Sequence, residues 1–125
     1  MTLEFEGKQE LIRRIDAVID GECAKTTTNC VRDILCALMQ EKTLNLPACV
    51  YDCPPDHYAR RLIHKDHGRG YTIMAMTWGP GQATPVHDHS GMWCVEAVWE
   101  GQIEVTQYEL TEIRGDLYKL ERRTT

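Results

Sequence analysis

The segment Gly81-Gln-Ala-Thr-Pro-Val-His87-Asp88-His89 carries two imidazoles separated by one residue. In an extended chain alternate side chains share a face and each residue advances ~3.3 Å, so the two α-carbons would lie roughly 6–7 Å apart. Both rings could then reach one metal ion, whose bonds to nitrogen run near ~2.1 Å. Asp88 would face the other way, where a carboxylate suits stabilising the loop or supporting a ligand. Two histidines do not complete a site, and a His-x-His pair also arises by chance on polar loops.

The surroundings of the pair add information. Five residues separate Gly81 from His87, four separate His89 from Cys94, and six separate Cys94 from Gly101. This spacing resembles the first motif of the cupins, in which a Gly, a His-x-His pair, a Glu and a second Gly stand at these intervals. Here Cys94 takes the place of the usual Glu, which removes a hard anionic ligand and leaves a site dependent on neutral imidazoles. That substitution resembles the cysteine dioxygenase family, a cupin branch that binds ferrous iron through three histidines. Upstream, Tyr58-Ala59-Arg60-Arg61-Leu62 resembles the family segment that supplies an arginine for the substrate carboxylate. The resemblance runs clearly from about Tyr58 to Leu110.

The resemblance implies Fe(II) on His87, His89 and a third histidine, and oxidation of a small thiol to its sulfinate with both atoms of O2. L-cysteine is the first substrate it suggests and 3-mercaptopropionate the alternative; a non-catalytic cupin module that binds a small molecule or metal is the second class of function. Arg60 becomes the carboxylate clamp, a role for which a planar guanidinium fork is suited. Alternation along a strand sends Arg61 to the opposite face and keeps Tyr58 with Arg60, where its hydroxyl could support the site. Cys94 would line the site, sharing a face with Met92, Glu96 and Val98. In some family members the equivalent cysteine forms a thioether with a tyrosine far downstream, and no matching tyrosine can be identified in this sequence. The family's third histidine lies on a later strand, whereas no His follows His89 here. We therefore expect these residues to be the front part of a longer chain. Glu96 as a substitute ligand does not match the spacing of the motif's acidic position.

A rival metal site is structural zinc on Cys49-Val-Tyr-Asp-Cys53-Pro-Pro-Asp-His57, with His64 and His67 beyond. Its donors are of the right kind, but Pro54 and Pro55 limit how the loop folds back and the His spacing matches no common zinc module. His57, His64 and His67 read better as surface or turn residues.

The elements that must position these groups follow from periodicity. Leu11, Ile12, Ile15, Val18 and Ile19 predict a helix over 10–20, with Gly21 where it would stop. Val31, Ile34, Leu35, Leu38 and Met39 predict a second, after N-cap candidates in Thr26-Thr27-Thr28-Asn29. Pro47, Pro54 and Pro55 mark 46–57 as a connector. Strands are expected at about 58–65, 71–78, 92–99, 102–110 and 117–123, with turns at His67-Gly68-Arg69-Gly70, Glu100-Gly101 and Arg114-Gly115-Asp116. The expected fold is α+β and mainly β. It is a single domain over 1–125, with helices in 1–45 and, in 58–125, the strands of a cupin barrel (double-stranded β-helix or jelly roll) left incomplete by the chain's length.

Composition narrows the partners. With 125 residues there is room for one core, and 42% hydrophobic with 26% charged residues is globular rather than disordered. A net charge of −5 without a basic stripe argues against nucleic acid. No apolar run approaches the ~18 residues of a membrane span, and early Glu4, Glu6 and Glu10 do not fit a secretory leader, so a cytoplasmic protein is expected. Most of the six cysteines are then expected to be reduced, buried thiols. The expected partners are a small thiol and O2, with neither nucleic acid nor membrane, and a monomeric or homodimeric state.

Overall fold

The structure, a computed structural model, describes residues 2–115 and 117–122. In order it contains α1 (Lys8–Ile19), α2 (Thr27–Glu41), one 3-10 turn at Ala48–Tyr51, β1 (Ala59–Asp66), β2 (Tyr71–Thr77), β3 (Tyr108–Arg114) and β4 (Leu117–Arg122). The strands form two separate two-stranded antiparallel sheets, β1 with β2 and β3 with β4.

α1 buries Leu11, Ile15 and Val18, spaced so that one stripe faces inward. It ends where the sequence places the stop: Gly21 adopts a φ of 93°, its N–H donates to Val18 O, and the Glu22 N–H reaches back to Ala17 O. This left-handed cap satisfies carbonyls that the helix end would otherwise leave open. At the other end Gly7 has a φ of 94°, and a Cβ there would fall 2.6 Å from Thr43 O. Only glycine lets the chain pass that close to the segment after α2, where the Asn45 N–H donates to Glu6 O. α2 begins at Thr26, whose hydroxyl accepts from the Asn29 N–H at 3.4 Å, and buries Cys30, Val31 and Leu38.

These two stripes meet Ile63 of β1 and Tyr71 of β2 to form the core. Fully burying each large apolar side chain is worth roughly 1.5–3 kcal/mol before conformational entropy is charged against it. Arg14 ties the helices together at the surface by donating from both Nη atoms to the Glu41 carboxylate, each at 2.8 Å, and from Nε to Glu10.

The register pairs Arg60 with Met76, Arg61 with Ala75 and Leu62 with Met74. Ala75 and Ile73 pack against the helical core, so their face of the hairpin looks toward the helices. By alternation Arg60, Leu62, Met74 and Met76 lie on the opposite face. A bulge between Leu62 and His64 adjusts the register without losing the Ile63 anchor.

Two expectations are corrected here. Residues 92–99 form no strand, and of 102–110 only Tyr108 onward does. A strand exists only where a neighbour pairs its backbone. Among the described residues nothing pairs with 92–107, and Met92, Trp93, Val98, Ile103 and Val105 remain exposed. The barrel is accordingly not closed among the described residues. The expected turn over 114–116 does join two paired strands, with Gly115 at a φ of 59°, although Asp116 lies outside the described residues, as do 123–125.

The cysteine expectation is corrected as well. Cys23 and Cys30 form a disulfide that ties the α1–α2 loop to the first turn of α2. Cys36, Cys49, Cys53 and Cys94 are free, but exposed rather than buried. No helix among the described residues is long and apolar enough to cross a membrane.

Candidate functional site

The chain leaves β2 through a tight turn. The Gln82 N–H donates to Gly79 O at 3.0 Å, with Pro80 and Gly81 in the middle and Gly81 at a φ of 77°. Proline first and a left-handed glycine second is the composition of a type II turn. From there the chain runs to His87 and His89 as an irregular loop.

The two rings lie 5.2 Å apart, centroid to centroid, and within 9° of parallel. Both residues are exposed. His87 Nδ1 is 2.7 Å from Pro85 O. A carbonyl can only accept, so the contact requires the proton on Nδ1 and leaves Nε2 as the nitrogen free of this hydrogen bond. Asp88, between the two histidines, accepts from the Ser90 N–H at 3.2 Å and the Met92 N–H donates to His89 O, which fixes the turn after the ligand candidates. The donor chemistry of the two imidazoles suits a ferrous or similar ion. Among the described residues no group of three or more His, Cys, Asp or Glu gathers as a metal site, so the pair offers two donor rings and not a whole ligand set. The same holds for the zinc alternative: Cys49, Cys53, His57 and His67 are exposed, His64 is half-buried within β1 rather than at the surface or in a turn, and together they form no such group among the described residues.

Cys94 is an exposed thiol rather than one held on a strand face. Partial burial, and secondarily the Glu96 carboxylate, push its pKa above the ordinary thiol value, so it stays protonated near neutrality. Val95 packs against the helical core, and Trp99 Nε1 donates to the Tyr51 hydroxyl at 3.2 Å. These two contacts hold the Cys94 segment without a ladder.

The two arginines of β1 have different surroundings. Arg61 points to the connector, donating from Nη1 to Val50 O and Thr77 Oγ1 at 3.3 Å each and from Nη2 to Asp52 O at 3.1 Å. Arg60 is exposed on the other face, its Nη2 resting 3.3 Å from the Met74 sulfur, which is a weak acceptor. A guanidinium so placed keeps its fork open for a carboxylate. Tyr58 stacks between the His57 ring and Trp78, at centroid distances of 4.1 and 5.7 Å. It therefore forms an aromatic end to the Arg60 face. Between the hairpin and the histidine loop, no hydrogen bond or ring contact joins Arg60 or Tyr58 to His87, His89 or Cys94 among the described residues.

Gln82 and Thr77 were not singled out by residue type, yet both organise this region. The Thr77 hydroxyl donates to Val50 O at 2.5 Å, and Gln82 bridges the β2 exit and the connector. The Pro80-Gly81 turn signature was the available signal, since it folds the next side chain back over the strand end.

A family model described as cysteine dioxygenase type I matches residues 10–124. A zebrafish (Danio rerio) protein named cysteine dioxygenase type 1 is 29% identical over 52 residues, which is 42% of this chain and 25% of that protein. The matched stretch thus spans about a quarter of that relative's length. No solved structure matches this chain.

Proposed function

Because this chain belongs to the cysteine dioxygenase type I family, we propose that it oxidises a small thiol with O2. One thiolate and one O2 give one sulfinate, both oxygen atoms going to sulfur. The observation that carries this reading is the family match over residues 10–124, which includes His87 and His89 side by side on the loop after β2. Fe(II) is the cofactor we assign to the pair, together with a third donor that the described residues do not supply. When bound, the metal supplies the electron transfer between thiolate and O2 and favours the thiolate over the thiol.

The chain's own residues bind and orient. Arg60 receives the substrate carboxylate on its open fork, which fixes where the thiol end lies. Tyr58 and Trp78 stack at the end of the same face and offer apolar surface beside it. L-cysteine is the substrate we put first, with 3-mercaptopropionate as the runner-up because it shares the thiol and the carboxylate.

Oxygen uptake tests this directly. The purified protein, loaded anaerobically with Fe(II), should consume O2 on addition of L-cysteine and yield the sulfinate, and His87→Ala should abolish both. Uptake with 3-mercaptopropionate alone would move the substrate, and iron binding without uptake of O2 on any small thiol would reduce the chain to a binding module.

A further inference from the structure

Gln82 lies inside the histidine-bearing segment without being one of its ligand candidates, and both ends of its amide are used. Oε1 accepts from the Gly79 N–H at 2.7 Å, and Nε2 donates to Pro54 O at 2.7 Å. Gly79 is buried and lies two residues past the end of β2, after Trp78, so its N–H is beyond the ladder and would be an orphan without this acceptor. Pro54 sits in a Pro-Pro pair that offers no donors of its own, and its carbonyl takes the other end. The fit is close: a Cβ on Gly79 would stand 3.3 Å from Gln82 Cδ and 3.5 Å from Cys53 Cβ. The same connector is held at its other end by Arg61 and Thr77 on Val50 O.

We propose that Gln82 is a positioning residue, an amide clasp that seats the start of the histidine loop on the 46–57 connector and so sets where His87 and His89 stand against the β1–β2 hairpin. This rests on the reading of that pair as metal ligands. The backbone turn alone fixes the chain as far as Gln82 N, and the irregular loop beyond has five residues to His87 with no ladder to hold them. The side-chain clasp is what ties the start of that loop to a second element. Without it the loop would pivot about Gly81, which accepts a wide range of backbone angles.

Two variants separate the ends of the clasp. Gln82→Met keeps the shape and removes both hydrogen bonds; Gln82→Glu keeps the acceptor for Gly79 and sets a carboxylate against Pro54 O. In ring-selective NMR of the metal-free chain, Gln82→Met should shift the His87 and His89 resonances and speed Gly79 amide exchange, while Leu38 and Ile15 in the core stay in place. Gln82→Glu should shift the rings while Gly79 remains protected. Unchanged ring resonances in both variants would overturn the clasp. With Co(II) as the probe, wild type should bind more tightly than either variant, and equal affinities in all three would overturn the clasp's role at the pair. If wild type and His87→Ala bind Co(II) alike, it is the metal reading of the pair that falls, since the ring shifts judge the clasp without metal.

Discussion

The Tyr71 hydroxyl donates to Asp16 Oδ1 at 2.5 Å, joining the start of β2 to the last turns of α1. Tyr71 is 6% exposed, and burial together with the Asp16 carboxylate raises its phenol above the ordinary range. Arg69 extends the junction, bonding Asp20 through Nε and Nη2 at 3.0 and 2.9 Å and Asp66 through Nη1 at 3.1 Å. The hairpin that carries Arg60 is thereby oriented on the helices.

Tyr71→Phe should therefore cost about 2 kcal/mol, the scale of a hydrogen bond to a charged acceptor, while keeping the ring's packing. Urea unfolding followed by far-UV circular dichroism checks it through the midpoint. Because Arg69 Nη1 still lies 3.5 Å from Asp16, the carboxylate is not stranded, and a loss much above that scale would mean the hydroxyl organises more than this pair.

Acid should loosen the helix pair before it reaches the core. Arg13 and then Arg14 hydrogen-bond Glu10 and hold its pKa down at about 2, and Arg14 lowers Glu41 as well. A carboxyl whose folded pKa is depressed contributes stability above its unfolded value, near ~4.3, and that contribution disappears as pH falls toward the folded value. Denaturation midpoints measured from pH ~5 down to ~2.5 should fall with pH, and Glu10→Gln should flatten part of that slope while lowering the neutral-pH midpoint. A slope identical in the variant would assign the acid sensitivity to Asp20, Asp66 and Asp33 instead, which are also lowered by their Arg and Lys partners.

What the sequence disclosed, and what it hid, divides along the range of the interactions. α1, α2 and the first hairpin were legible because their signals are local: the Leu11, Ile15, Val18 stripe, Thr26 as a cap, and glycines at both helix and hairpin stops. The strand expected over 92–99 fails because a strand needs a partner, and β-branched and aromatic residues say nothing about whether one is present. Arg60 and Arg61 could be assigned to opposite faces from alternation alone. That Arg61 would be spent on Val50 and Asp52 carbonyls could not, since the connector's return path depends on contacts distant in sequence. The Gln82 clasp was hidden for the same reason, the carbonyl to which its amide donates lying 28 residues upstream.

The Cys23–Cys30 disulfide spans a sequence separation of 7. In the chain-entropy view, closing so short a loop restricts the unfolded state and stabilises the fold by roughly 2 kcal/mol. Cys30 is buried in the core cluster, so its half of the bond is shielded from solvent. Cys23→Ser should lower the unfolding midpoint accordingly, and a small phosphine reductant should lower wild type to the level of the variant. Equal midpoints for wild type, reduced wild type and Cys23→Ser would show that the two thiols are not joined in solution.

Arg60 and Arg61 should separate binding from stability. Arg61 gives two of its hydrogen bonds to connector carbonyls and one to Thr77, so Arg61→Ala should cost about 1–3 kcal/mol and free the segment that Gln82 also grips. Arg60 touches only the Met74 sulfur among its hydrogen-bond partners and is exposed, so Arg60→Ala should leave the unfolding midpoint nearly unchanged, within about 0.5 kcal/mol. Its effect should appear in KM for thiols that bear a carboxylate, rising at least about tenfold, with a far smaller change for a thiol such as cysteamine that lacks one. An unchanged KM for L-cysteine would remove Arg60 as the clamp. A rise for both kinds of thiol would mean that it shapes the face rather than recognises the carboxylate.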